Sequence, residues 1–321
     1  MSKQVVIGYH GHCFDGMASA AVFTHLLQHL ESGPLDVTYR GLDHQPGGSH
    51  VPSAMLTGEI NAVVDFRYTT SEKLTWWFDH HVSGVRDDEL AHLRVDQGQR
   101  KFFDPAYGSC CKLIADVARE RFGCSTEALS ELVRWADIID AARFPNAMTP
   151  VELREPALQL MTVIESHGDD AFLAPRIALL ARGVPLSEVA EDARVQALFA
   201  PLHESQKRTC AEIEARATCE HGVVAFDLIG HGDDRYNKFI PYALFPESRY
   251  CVAVTAGRSR SKVSVGSNPW AKVPRTHDIA SICARYGGGG HEVVGAVSLR
   301  PEEHERARQI AREIVALLSD G

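Results

Sequence analysis

No Cys-x-x-Cys pair occurs among the eight cysteines (Cys13, Cys110, Cys111, Cys124, Cys210, Cys219, Cys251, Cys283), so zinc-finger and thioredoxin-type spacings are absent. No apolar run approaches the roughly 18 residues needed to cross a membrane, and Val5–Tyr9 is too short for the core of a secretion signal. A cytoplasmic protein with reduced, mostly buried thiols is expected. Glycine and proline are sparse, at 25 and 15 of 321 residues, and neither a low-complexity tract nor an internal repeat is present. Collagen-like, disordered and solenoid chains are thereby excluded. Positive charge is also short, since 33 Lys and Arg face 42 Asp and Glu for a formal net charge of −9. Coating long duplex nucleic acid requires many phosphates to be neutralised, so that partner is not expected, nor is a membrane. A small anion held by a local basic patch remains open.

What is present is an apolar fraction of 45%, enough for a sizeable core, on a length that suggests two domains. The first 80 residues alternate β-branched runs with a helical pattern, as in an α/β unit with a parallel sheet. Strands are predicted at Val5–Tyr9, Asp36–Gly41, Ile60–Val64 and Thr75–Phe78, with a helix over Met17–Leu30. Helical spacing runs from Ser109 to about Ala142 and resumes in a charged stretch from Ser187 to about Thr218, which reads as a connecting helix. Beyond His221, strands at Val223–Ile229, Tyr250–Thr255, Lys262–Val265 and Val293–Leu299 mix with helices at Ile279–Arg285 and Pro301–Leu318. The expected fold class is therefore α/β, with a parallel-sheet domain over 1–190, a helical linker over 191–219 and a smaller α/β domain over 220–321.

Three polar clusters each follow a strand-like run. His10-Gly11-His12-Cys13-Phe14-Asp15-Gly16 follows Val5–Tyr9, Asp65 follows Ala62–Val64, and Asp79-His80-His81 follows Trp76–Phe78. Open parallel sheets collect ligands at the carboxyl ends of their strands. One aspartate after a strand is an ordinary helix cap, but three strand ends bearing His and Asp point together to a metal site. Carboxylate and imidazole donors with little thiolate suit manganese, magnesium or iron better than a structural zinc. Crowded carboxylates need divalent cations to be tolerated, and a pair of ions suits in-line phosphoryl displacement by hydroxide.

A second signal lies downstream. Between Cys251 and Gly290 there are six Lys or Arg and a single Asp, against an acidic whole. Arg258 and Arg260 offer forked donors, and the glycine run ending at Gly288, Gly289 and Gly290 lets backbone N–H groups approach an oxyanion. A glycine run alone reads as a flexible loop; His291 at its end, before a strand, favours phosphate recognition. Trp270 in the basic stretch is open to two readings, a base-stacking ring or a core anchor.

Taken in order, His10-x-x-x-x-Asp15-Gly16, Asp65, Asp79-His80-His81, Asp140-Ala-Ala-Arg-Phe144 and Gly288-Gly289-Gly290-His291 resemble the DHH family of phosphoesterases with a DHH-associated C-terminal domain. That group includes RecJ-like nucleases and small oligonucleotide phosphodiesterases, and the resemblance covers nearly the whole chain. It implies that His10, Asp15, Asp65, His80 and Asp140 bind two manganese ions with Asp65 bridging. It further implies that His81 faces the scissile phosphate and that Asp79 orients the histidines. Asp137, on the same helix face as Asp140, competes with it for the helix-borne ligand. Arg260 or Arg258 would hold substrate, with His291 at its far end.

One position departs from the family pattern: Cys13 stands where many members carry an aspartate. Either His12 or solvent fills that place, or the site takes a softer ion such as zinc or iron. The expected activity is two-metal hydrolysis of short oligonucleotides or nucleotide-like phosphate esters. Dinucleotides, cyclic dinucleotides and bisphosphorylated nucleosides fit the charge best. An exopolyphosphatase or pyrophosphatase, and a non-catalytic module that only binds a phosphorylated ligand, are the rival readings. The oligomeric state is left open, a homodimer included.

Overall fold

The computed structural model describes residues 2–43, 50–89, 93, 99–231 and 236–320. Its contacts divide the chain into two compact units, one of residues 1–144 and 154–200, the other of 145–153 and 201–321.

The first unit is built on a parallel sheet in the order β2-β1-β3-β4-β5, formed by β1 (Lys3–His10), β2 (Leu35–Leu42), β3 (Ile60–Val64), β4 (Trp76–Asp79) and β5 (Lys101–Phe103). Every residue of β3 is buried, as expected of a central parallel strand covered on both faces. The sheet extends to opposite sides from β1, so the gap between the β1 and β3 carboxyl ends is the topological switch point. Helix α1 (Phe14–Leu30) is buried over nearly its whole length, with Ala18, Ser19, Ala20 and Ala21 letting neighbouring helices approach. Trp76 and Trp77 alternate across β4. Trp76 packs on Phe23 and Phe122, whereas Trp77 enters a cluster with Leu42, Phe66 and Tyr68 on the opposite face.

The helical spacing read as continuous from Ser109 to Ala142 is two helices, α2 (Cys110–Phe122) and α3 (Ser130–Asp140). Gly123, at φ +63°, ends α2 in a left-handed cap that apolar periodicity does not reveal. After α4 (Thr149–Glu152), which belongs to the second unit, come α5 (Pro156–His167), α6 (Asp170–Ala181) and α7 (Leu186–Ala190). Helix α8 (Ala193–Arg216) then runs through the charged stretch, and the division between units falls within it at 200/201.

The second unit contains a mixed sheet in the order β10-β11-β9-β8-β7-β6. Its strands are β6 (Thr218–Glu220), β7 (Val223–Asp227), β8 (Tyr250–Ala256), β9 (Ser261–Ser267), β10 (Gly289–His291) and β11 (Val294–Leu299). On one face Val252, Val254, Val263, Val265 and Val297 pack with α10 (Ile279–Ala284) and α11 (His304–Ser319), after α9 (Ile240–Leu244) in the chain. Ala307, Ile310, Ala311, Ile314 and Leu318 form the buried stripe of α11, the spacing of an amphipathic helix. The other face buries Val224, Phe226, Cys251 and Ala253 with Ile240 and Tyr242 of α9.

Candidate metal centre

Each polar cluster read from the first 80 residues lies at a strand's carboxyl end or in the turn that follows. His10 closes β1. The chain then turns through His12, which adopts a left-handed φ of 52°, so that Cys13 caps α1 and Asp15 lies in its first turn. Gly16 is required here, because a Cβ on it would intrude by about 1 Å within the 3.0 Å that real Cβ atoms keep from the His10 carbonyl oxygen. Asp15 therefore sits within the helix, fully buried, where its carboxylate accepts the backbone N–H groups of Cys110 (2.7 Å) and Cys111 (3.1 Å) at the start of α2. That is an anion on a helix N-terminus.

Asp65, immediately after β3, has a φ of 56° and is fully buried. Neither of its carboxylate oxygens has a hydrogen-bond partner. Three imidazoles surround it at the edge of hydrogen-bond distance or beyond: His10 Nδ1 at 3.5 Å, His80 Nε2 at 3.6 Å and His81 Nδ1 at 3.8 Å. Burial alone would push this carboxyl up, but His10 and His80 hold it down at about 2. Such backbone strain with unpaired buried oxygens is a recurrent mark of functional positions.

Asp79 ends β4 and organises both histidines. Its Oδ1 accepts the backbone N–H of His80 (2.8 Å) and of His81 (3.1 Å) and pairs with His81 Nδ1 (2.8 Å). His80 Nδ1 donates to the Tyr107 carbonyl at 3.1 Å, which turns Nε2 toward the carboxylates. That atom is buried and without a hydrogen bond, 3.3 Å from Asp140 Oδ2, 3.6 Å from Asp65 and 3.9 Å from Asp15. A backbone carbonyl that fixes the tautomer and frees the opposite nitrogen is the usual support of a metal-ligating imidazole.

Three overlapping groups of donor atoms result, each with its atoms within 4.8 Å of one another: His10, Cys13 and Asp65; Asp65, His80 and His81; and Asp15, His80 and Asp140. Burial, then the charges of Asp65 and Asp140, push the Asp15 carboxyl well above its ordinary range, and burial and Asp65 push Asp140 up. The Asp79 hydrogen bond raises His81 to about 9 against the opposing effect of burial. Unpaired carboxylate oxygens, mutual repulsion and a free imidazole nitrogen together fit divalent cations, which would relieve all three.

Asp140, in the last residue of α3, joins the cluster, whereas Asp137 pairs with Arg143 Nη2 at 3.2 Å. His12 lies outside the three groups, with Nδ1 facing the Ile164 carbonyl at 3.3 Å. In the second unit, Arg258 and Arg260 occupy the β8–β9 turn, closed by Gly257 N–H to the Arg260 carbonyl at 2.9 Å. The glycine run is not a free loop: Gly289 and Gly290 enter β10 opposite Ala296 and Gly295. A Cβ at Gly288 or Gly290 would collide with the β11 backbone, so the hairpin itself demands glycine. Strand register sets His291 beside Val294 and Val294 beside Gly266, six residues from Arg260, a span of about 20 Å. Trp270 is partly buried and packs on Phe239 at 5.7 Å beside the α9 core.

Sequence reasoning missed Gly84, whose bare Cα leaves room for Asp79 Oδ2, and the Tyr107 carbonyl that orients His80. It also missed the α2 N–H groups that hold Asp15, although Ser109 is a recognisable helix cap, accepting from Lys112 N–H.

No protein-family model and no curated protein matches the sequence. Among solved structures, a pGpG-specific phosphodiesterase, PggH, from Vibrio cholerae aligns with a TM-score of 0.68 at 18% identity, covering 98% of this chain and 99% of that one. The DHH domain of a member of a ribosomal protein family aligns with a TM-score of 0.59 at 14% identity, covering 98% and 87%. A RecJ in complex with Mn2+ from Thermus thermophilus aligns at 0.49 and 12%, covering 98% and 52%. The chain has the two-domain fold of the DHH proteins.

Proposed function

We propose that this chain is a metal-dependent phosphodiesterase acting on short oligonucleotides or nucleotide-like phosphate esters. The observation that carries the reading is Asp65: a fully buried carboxylate with both oxygens unpartnered, ringed by three imidazoles at the switch point of a parallel sheet. His10, Asp15, Asp65, His80 and Asp140 would hold the cations, with Cys13 beside them. Bound divalent ions supply Lewis acidity toward phosphoryl oxygens and lower the pKa of an attacking water.

The chain's own groups do the rest. Asp79 Oδ1 accepts a hydrogen bond from His81 Nδ1–H and so fixes the ring, leaving Nε2 to hold a proton for a phosphate oxygen or the departing alkoxide. The Asp79 hydrogen bond favours a protonated His81 ring, the form able to donate there. Arg258 and Arg260 would pair with a phosphate, and His291 with Gly288–Gly290 would contact the substrate elsewhere, in a substrate-binding domain over 220–321. Net charge of −9 favours short substrates over long polymers, and one alignment over nearly the whole of both chains is with a pGpG-specific phosphodiesterase.

The test is Mn2+-dependent release of mononucleotide from pGpG, with Asp65→Asn alongside. Release by the wild type and none by the variant supports the reading. Turnover confined to polyphosphate or pyrophosphate would replace it with the phosphoanhydride alternative, and binding without turnover would leave a ligand-binding module.

A further inference from the structure

Resting on the reading above, we infer that the centre is chemically asymmetric. The thiolate of Cys13 makes the group with His10 and Asp65 selective for a thiophilic divalent ion such as zinc or ferrous iron. The group of Asp15, His80 and Asp140 takes an oxygen-favouring ion such as manganese or magnesium.

Two observations meet at the first position. The Cys13 sulfur lies within 4.8 Å of a His10 nitrogen and an Asp65 oxygen, one donor of each kind. Independently, Asp65 is fully buried with neither oxygen hydrogen-bonded, so the carboxylate faces this position unsatisfied. Cys110 donates its S–H to the Phe78 carbonyl, and neither Cys110 nor Cys111 belongs to a donor group among the described residues. Cys13 is thus the sulfur available to an ion.

Ligand softness then separates the two halves. Nitrogen, sulfur and oxygen donors, one each, form the three-protein-ligand set of a catalytic zinc or iron site, with coordination positions left for water or substrate. Two carboxylates and an imidazole form a harder set, and the halves meet through the intervening group of Asp65, His80 and His81, where His80 Nε2 lies 3.6 Å from Asp65 Oδ1. Ligation is proton-coupled: the Cys13 S–H bond breaks, the proton passes to water, and the sulfur lone pair forms the bond to the ion.

Cobalt(II) reports this without reference to turnover. Full-length protein stripped of metal and titrated with Co2+ is expected to show a near-ultraviolet thiolate-to-cobalt charge-transfer band beside weak visible bands. Cys13→Ser should lose the near-ultraviolet band and keep the visible ones, and its Zn2+ affinity should fall by at least about 10- to 100-fold while Mn2+ affinity is little changed. Cys13→Asp, which restores a hard donor, should reverse the preference toward Mn2+ and serves if the serine variant fails to fold. Visible bands without the near-ultraviolet band, or a band that survives in Cys13→Ser, overturns the inference and leaves the phosphodiesterase reading standing. No Co2+ bound in equilibrium dialysis overturns both. A charge-transfer band in a protein that hydrolyses no phosphodiester leaves the asymmetric centre in place and removes only the activity.

Discussion

Gly84 offers the sharpest test of how the centre is held together. It lies in the single 3-10 turn Val82–Gly84 after the histidines, and a methyl group there would intrude by about 1 Å within the 3.0 Å limit around Asp79 Oδ2. The backbone cannot retreat easily, because Gly84 N–H donates to the His81 carbonyl and its own carbonyl accepts from Tyr68 N–H, both at 2.8 Å. Asp79 is fully buried and its Oδ1 carries three hydrogen bonds from His80 and His81. In Gly84→Ala the carboxylate must rotate or shift by about 1 Å, taking the His81 ring with it. Displacement on that scale costs roughly 100-fold in turnover when it misplaces reacting groups. Overpacking adds about 1–3 kcal/mol of destabilisation. The assay is kcat for Mn2+-dependent pGpG hydrolysis with a thermal melt of the same samples. A low kcat with KM little changed, in a protein that still melts cooperatively, is the expected result. Wild-type kcat in a folded Gly84→Ala protein would refute the idea that Asp79 positions the pair.

The other expectations concern stability. With divalent ions chelated, the melting temperature should fall as pH rises from 6.5 to 9, because the folded pKa of His81 lies above its unfolded value, so its stabilisation is complete below 6.5 and lost by about 9. Since the His81 side chain is 39% exposed, solvent screening limits its effect to about 1–2 kcal/mol. A flat or rising melting curve over that window would contradict the placement of this group. Saturating Mn2+ should raise the melting temperature, by the equivalent of about 2.7 kcal/mol at 100 times Kd, and Asp65→Asn should abolish most of the shift in differential scanning calorimetry. Asp192→Ala should cost about 2 kcal/mol in urea unfolding, because Asp192 caps the start of α8 and pairs at 2.6 Å with the buried Arg176, itself stacked on Phe172. Arg176 holds the Asp192 carboxyl below its ordinary 3.8 despite some burial, so the difference between variant and wild type should shrink as pH falls through that lowered value.

The strand ends were legible because a β-branched run followed by a polar cluster marks both the strand and the residue that leaves it, and His10, Asp65 and Asp79–His81 all carry that mark. Asp140 against Asp137 was not decided by sequence, since residues three apart share a helix face. The choice depends on where the last turn of α3 ends and on Arg143 drawing Asp137 aside. The support of His80 by the Tyr107 carbonyl has no side-chain signature at all. The glycine run was read for its chemistry toward anions, whereas close strand approach already requires glycine at Gly288 and Gly290. Three-residue strands such as Lys101–Phe103 and Thr218–Glu220 are too short to show an alternation.

The clustered donors come from residues 10, 13, 15, 65, 80, 81 and 140, gathered from three strand ends, the start of one helix and the end of another. In kinetic terms this makes the centre a late structure. His10, Cys13 and Asp15 are close in sequence, but loops of tens of residues must close before Asp65, the histidine pair and Asp140 join them, so an unfolded chain offers only incomplete sets of ligands. A cation bound at full occupancy therefore acts after the rate-limiting step of folding. It should slow unfolding in proportion to its binding energy while leaving the refolding rate nearly untouched, so that lifetime and not folding speed is what the ions contribute.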